Sequence, residues 1–109
     1  MQGSPHSPII LNKLGRVFIQ MNRFDEALQP LQSALDVDPD NPNTYLQLGR
    51  VHYAAKKYKE SLAVLDEAVQ INPFNPAIFR LLSDVYAGLG QPEKAKQAKS
   101  TLDKLMTVQ

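Results

Sequence analysis

The sequence contains no cysteine, so it has neither a disulfide framework nor thiol chemistry. No apolar run approaches the roughly 20 residues that a membrane-spanning helix needs, and the N-terminus lacks the basic and apolar regions of a signal peptide. Twelve basic and eleven acidic side chains leave a net charge of only +1, which indicates neither a nucleic-acid partner nor a membrane partner. These absences favour a soluble protein, cytoplasmic by default, whose compartment the sequence does not specify.

Groups that carry catalysis or bind metals are also scarce. Of the two histidines, His6 lies in the leading segment, and His52 is spaced 34 residues from both Phe18 and Tyr86, which favours a structural, hydrogen-bonded role. The glycines form no phosphate-binding loop, and the alternating acids within 36–40 lack the glycine and distal glutamate of a calcium loop. We therefore expect no enzyme, no catalytic residues, no metal and no cofactor.

The most distinctive feature that is present is a pentapeptide pattern that occurs three times. SPHSP at 4–8, DPDNP at 38–42 and NPFNP at 72–76 each run polar residue, proline, variable residue, polar residue, proline, at intervals of 34 residues. A fixed period of this length indicates tandem structural repeats. In each pentapeptide the second polar residue can cap a helix, and the proline after it suits the first helical position. The capping residues are Ser7, Asn41 and Asn75.

Between the pentapeptides, apolar residues follow helical spacing, as Leu11, Leu14 and Phe18 show. Glycine and short polar steps divide each 34-residue unit into two helices. The predicted helices are about 8–21, 24–37, 42–55, 58–71, 76–89 and 92–106. The predicted fold class is all-α, with helix–turn–helix repeats stacked in an α-α superhelix, or solenoid.

The units are predicted to span 8–41, 42–75 and 76–109, after a leading segment 1–7. That segment is open to two interpretations. It is either a cloning remnant that happens to match the pentapeptide, or the end of a further repeat upstream.

Large, small and proline residues recur at matching positions in the three units. The middle unit carries Tyr45, Leu48, Gly49, His52, Tyr58, Ser61, Leu65, Ala68 and Pro73. The first carries Leu11, Leu14, Gly15, Phe18, Phe24, Ala27, Leu31, Ala34 and Pro39, and the third begins with Phe79, Leu82, Ser83, Tyr86, Gly90 and Ala95. This pattern resembles the tetratricopeptide repeat, and the resemblance covers essentially residues 8–106. The small residues are expected to let helices approach closely while the large ones fill the space between them.

The third unit then departs from the pattern. Lys99 stands where the earlier units have leucine, and Leu102 stands where they have alanine. Lysines give this last helix a polar face, which terminal repeats need for solubility. The alternative is a surface that binds an anion or a membrane, but Glu93 and Asp103 interrupt it, so we favour a solvated C-terminal capping helix.

The resemblance implies that a partner binds the concave face, which the first helix of each repeat lines. The implied partner-binding residues are Asn12, Lys13, Arg16, Asn43, Leu46, Gln47, Arg50, Tyr53, Arg80, Leu81 and Asp84. Four of these are cations and one is an acid, which favours an acidic ligand. The expected function is therefore that of a protein–protein interaction module, a scaffold or adaptor that binds a peptide or helical segment of a partner.

One subtype of the family binds the C-terminal tails of heat-shock chaperones through a carboxylate clamp of lysine, asparagine and arginine. The corresponding residues here are Asn12, Arg16, Gln47, Ala77 and Leu81. Because no lysine is matched, this specificity is not predicted.

An apolar stripe of Ile10, Leu14, Val17 and Met21 runs along the first helix. In the middle unit the corresponding positions would pack on the preceding hairpin. The stripe therefore predicts a homo-oligomer formed through the first helix. Two alternatives for function stay open beside the binding module: a self-assembling or linking segment of a longer array, and a regulatory domain cut from a larger enzyme.

Overall fold

The computed structural model describes residues 7–107, which form six helices and contain no strand. The helices are α1 (Pro8–Gln20), α2 (Phe24–Val37), α3 (Pro42–Ala54), α4 (Tyr58–Ile71), α5 (Pro76–Gly88) and α6 (Pro92–Thr107). Every bound lies within one residue of the prediction. The all-α fold class is confirmed.

Three helices begin as the pentapeptides predict. The Ser7 hydroxyl accepts a hydrogen bond from the backbone N–H of Ile10 at 3.2 Å. The side-chain oxygens of Asn41 and Asn75 accept from the N–H two residues further on, at 2.9 and 3.0 Å. Proline follows each cap at the first helical position, where its missing N–H would have had no helical acceptor. These caps fix where the first helix of each repeat begins.

Each hairpin turns through one residue with left-handed backbone geometry. The φ angles are 60° at Asn22, 62° at Lys56 and 74° at Gly90. Only Gly90 avoids the steric penalty that a Cβ atom brings in this region. The turn geometry thus repeats every 34 residues, although the residue type does not.

The helices pair as three hairpins: α1 with α2, α3 with α4, and α5 with α6. Hairpins join because α2 packs on α3 and α4 packs on α5, and the first helices also contact one another, α1 with α3 and α3 with α5. No such contacts link α2, α4 and α6 within the described residues. The first helices therefore lie on the inner side of the curve and line a concave groove.

Small residues bring the helices together as predicted. Ala27, Ala34 and Ser61 have no exposed surface. A Cβ atom built on Gly49 would lie 2.8 Å from Cδ2 of Leu65, closer than packed carbon atoms approach. The buried residues form two core clusters, one around Leu31 and Leu48 between the first two repeats and one around Leu65 and Ile78 between the last two.

The last helix is the most polar. Ala98 is its one buried residue within the described part of the chain. The lysines at 94, 96, 99 and 104 are exposed, and Nζ of Lys94 lies 5.8 Å from the ring centroid of Tyr86. None of the helices that the structure describes is both long enough and apolar enough to cross a membrane.

Candidate functional site

The first half of the groove is a polar cleft of about 230 Å³ between α1 and α3. Its lining consists of Ile9, Asn12, Lys13, Arg16, Asn41, Asn43 and Gln47. Five of these are predicted partner-binding residues, so the structure brings them together. Asn41 was predicted only as a helix cap, yet the helix start that it caps also forms one wall of this cleft.

Gln47 places an amide group in the wall of this cleft. Gln47 is only 7% exposed. Its side-chain oxygen accepts a hydrogen bond from Nη1 of Arg50 at 3.3 Å. The Nε2 group of Gln47 donates to no acceptor within residues 7–107. Because Gln47 lines the cleft, its amide nitrogen can donate to a ligand oxygen there.

Positive charge accumulates on the same side of the groove. Burial lowers the pKa of Arg50, and the neighbouring positive charge of Arg16 lowers it further. Arginine nevertheless stays protonated in proteins, so two like charges are held near each other. The one ion pair among the described residues joins Arg23 to Glu26 at 2.6 Å, away from these cations. An anion in the groove would relieve this repulsion.

The second half of the groove is a smaller cleft of about 170 Å³ between α3 and α5. Its lining consists of Arg50, Ala77, Arg80, Leu81 and Asp84. Four of these are predicted partner-binding residues, and the cleft is less basic because Asp84 stands where the first two repeats have arginine. An acidic ligand group is therefore attracted less strongly to this half than to the first.

Two further predicted contacts differ in their accessibility. Leu46 is buried in the core with Leu65 and Ile78, so it offers a partner little surface. Tyr53 is partly buried and packs on Tyr58, with ring centroids 5.7 Å apart. Burial raises the pKa of Tyr53, and the charge of Asp84 adds to this rise. Tyr53 thus connects the groove to the core.

The predicted self-association residues lie together on an exposed face of α1. Ile10, Leu14, Val17 and Met21 are between 42% and 55% exposed. The residues at the corresponding positions of α3 are Thr44, Leu48 and Val51 for the first three, and all are 3% exposed or less. The face is therefore built like an interior one, but none of residues 7–107 covers it. We call this α1 stripe, with the adjoining outer surface of α2, the end face.

The family model for tetratricopeptide repeats matches residues 19–84 and 52–105, which together cover most of the chain. The chain belongs to the tetratricopeptide repeat family. Comparison with curated protein sequences gives no significant match.

Several solved tetratricopeptide structures are similar in fold. The second such domain of Spaghetti (RPAP3), bound to the HSP90 peptide SRMEEVD, is 18% identical with a TM-score of 0.87, covering 92% of this chain and 93% of that one. The first domain of human RPAP3 is 22% identical with a TM-score of 0.88, covering 94% and 80%. The Yersinia enterocolitica type III secretion translocator chaperone SycD, in an alternative dimer, is 16% identical with a TM-score of 0.88, covering 96% and 81%. At such identities the likeness concerns the fold.

Membership of the tetratricopeptide family does not by itself give Asn12 a partner-binding role. In this structure both polar atoms of its side chain form hydrogen bonds within the chain. Its side-chain oxygen accepts from the Thr44 hydroxyl at 3.0 Å, and its nitrogen donates to the carbonyl oxygen of Pro8, also at 3.0 Å. Asn12 thereby links the first helices of two repeats. The sequence held one signal of this role: Thr44 is polar where Ile10 and Ile78 are apolar at the same repeat position.

His52 occupies an aromatic position of the tetratricopeptide pattern and is partly buried there. Burial lowers its pKa, and Lys57 lowers it further, while Glu60 acts in the opposite direction. The hydrogen bond expected of its imidazole stays a prediction. His6 lies outside the described residues.

Proposed function

We propose that this chain is a scaffold or adaptor module that binds an acidic peptide or helical segment of a partner protein in its concave groove. The tetratricopeptide fold is typical of non-enzymatic protein-interaction modules. The observation that carries the proposal is the pair Arg16 and Arg50, which repel each other in the groove and have no carboxylate partner among the described residues.

The two halves of the groove favour different parts of a ligand. The cleft between α1 and α3 offers donors from Lys13, Arg16 and Gln47, and arginine can bind a carboxylate through two parallel hydrogen bonds. The cleft between α3 and α5 has Ala77 in its wall, beside Leu81, which is only 9% exposed. The matching ligand has an acidic group for the first cleft and a neighbouring apolar side chain for the second.

One structure of similar fold provides a precedent for peptide binding. The domain of Spaghetti is bound to a peptide, SRMEEVD, that contains three acidic residues. We do not extend that peptide to this chain, because the lysines of the carboxylate clamp have no counterparts here. The precedent supports binding of an acidic peptide by a domain of this fold.

Fluorescence anisotropy with a labelled, terminally blocked peptide of glutamate and leucine residues tests the proposal. We expect Arg16→Glu with Arg50→Glu to weaken binding at least about tenfold at moderate salt, because two attractions become repulsions. The matched control, Lys96→Glu with Lys99→Glu, makes the same change in net charge on α6 and should leave the affinity nearly unchanged. Equal losses in the two variants, or equal binding of a glutamine-for-glutamate peptide, would contradict groove recognition.

A second candidate function is self-association through α1. The end face favours it, because Ile10, Leu14 and Val17 are about half exposed, whereas the residues at the same positions of α3 are 3% exposed or less. Covering such apolar surface is favourable in water. The average mass of the protein in solution should therefore rise with its concentration.

A further inference from the structure

We propose that the end face pairs with the same face of a second copy in a closed two-fold dimer, and that it does not dock on the α6 end of another copy. This inference rests on the self-association candidate above and specifies its geometry. Lys13 and Arg16 border both the groove and the end face, so of the tests below the Val17→Glu variant is the one that leaves the groove residues unchanged.

The end face carries both a ridge and a hollow. The ridge is the α1 stripe, and beside it lies a cleft of about 360 Å³ between α1 and α2. The lining of this cleft consists of Leu11, Leu14, Phe18, Glu26, Gln29, Pro30 and Ser33. A two-fold axis running roughly along α1 would seat the ridge of each copy against the hollow of the other. A face with both shapes side by side is self-complementary, as a two-fold contact requires.

The opposite end of the chain does not offer a matching surface. In the first repeat Leu28, Leu31 and Leu35 form the side of α2 that packs toward α3. Sixty-eight residues further on, the corresponding residues of α6 are Lys96, Lys99 and Asp103, and all three are exposed. Docking the α1 stripe there would remove charges from water without opposite partners, which is unfavourable. Growth from head to tail is therefore disfavoured.

Charge also suits the two-fold pairing. The helix α1 contains Lys13 and Arg16 and no acid, whereas α2 contains Asp25, Glu26 and Asp36 and no base. The proposed axis sets α1 of one copy across α2 of the other, so basic side chains approach acidic ones twice. Like-charged contacts would result if each α1 lay only against the other α1.

The size of the face predicts a reversible dimer. Four apolar side chains that are only about half exposed present much less surface than the roughly 800 Å² per partner of a standard stable interface. The cleft adds further surface from α2. We expect a dissociation constant on the order of micromolar or weaker.

Analytical ultracentrifugation of the full chain from about 1 µM to about 1 mM tests the pairing. We expect the average mass to rise from one chain toward two and to stop there. Val17→Glu should weaken the dimer at least about tenfold, because the charge enters the interface twice. Phe74→Glu is the matched control, since Phe74 is an exposed apolar residue outside the end face, and it should leave the dimer intact.

A mass that stays at one chain at every concentration would overturn self-association and this inference together. Growth beyond two chains would overturn only the closed pairing. Equal weakening by Phe74→Glu and Val17→Glu would place the contact elsewhere. None of these outcomes bears on the peptide groove.

Charge reversal tests the axis itself. One variant combines Lys13→Glu with Arg16→Glu, and the other combines Gln29→Lys with Asp36→Lys, which spares the Arg23–Glu26 ion pair. Each variant alone should dimerise at least about tenfold more weakly, and their mixture should recover a dimer because opposite charges meet again. Circular dichroism of each variant is the control that both stay folded. A folded mixture that dimerises no better than its components would overturn the proposed arrangement.

Discussion

The hydroxyl of Ser61 donates a 2.8 Å hydrogen bond to the carbonyl oxygen of Gly49 and so joins the two helices of the middle repeat. In the third repeat the same two positions are linked in the reverse direction, since Ser83 donates to the carbonyl oxygen of Ala95 at 3.2 Å. The two helices approach closely enough at this point for a hydroxyl on either one to reach the other backbone. The close approach is thus a property of the fold, and either helix can supply the donor.

Ser61→Ala should lower the free energy of unfolding by about 1 kcal/mol, because a buried hydrogen bond is lost while the carbonyl keeps its helical partner. Ser83→Ala should cost less, since that bond is longer and only part-buried. Urea denaturation measures both. A larger loss for Ser83→Ala would contradict this ranking.

Gly49→Ala should destabilise the fold by about 1–3 kcal/mol through overpacking against Leu65, which has no exposed surface and cannot swing aside. The same change in a Leu65→Ala background should cost less, because the space has been vacated. A double-mutant cycle of chemical denaturation midpoints gives the coupling between the two positions. Additive effects of the two substitutions would show that the contact between positions 49 and 65 is not the cause of the destabilisation.

Lys56→Gly should raise the free energy of unfolding by about 0.5–1 kcal/mol, because Lys56 has a φ angle of 62° that glycine adopts without steric penalty. Lys57→Gly is the matched control one residue on, at a φ of −93°, where glycine gains nothing. Thermal unfolding distinguishes the two. Destabilisation by both changes would contradict the strain assigned to this turn.

The fold should become less stable as the pH falls through the range of His52. Burial lowers the pKa of this imidazole in the folded state, so the unfolded chain binds the proton more strongly. Its contribution is therefore present above the unfolded pKa of about 6.5 and is lost as the pH falls below it. His52→Phe should flatten the pH dependence of the urea midpoint between about pH 5 and 7.5. An unchanged slope in this variant would assign the effect to other groups.

The fold was predictable because its signals are local and repeat three times. Ser7, Asn41 and Asn75 each stand before a proline, so capping and the first helical turn are specified within a few residues. Periodic apolar positions then determine which side of each helix is buried. Pro30 lies inside α2, and the helix continues through it to Val37.

The site was less predictable because exposure depends on neighbouring repeats. Leu46 has the register of a groove residue, yet the packing of α5 covers it. Asn12 has the same register in the first repeat, and a single hydroxyl on α3 engages it. Register therefore predicts which face a residue belongs to, but not how much of it a partner can contact.

The central claim is that the concave groove is where the chain recognises an acidic ligand, and nuclear magnetic resonance tests it most directly. The ¹⁵N-labelled protein is titrated with the blocked glutamate–leucine peptide while backbone amide shifts are followed. We predict that the largest shifts fall on α1 and α3, around Lys13, Arg16, Gln47 and Arg50, and that α6 changes little. Shifts centred on the lysines of α6, with the groove amides unmoved, would contradict the account.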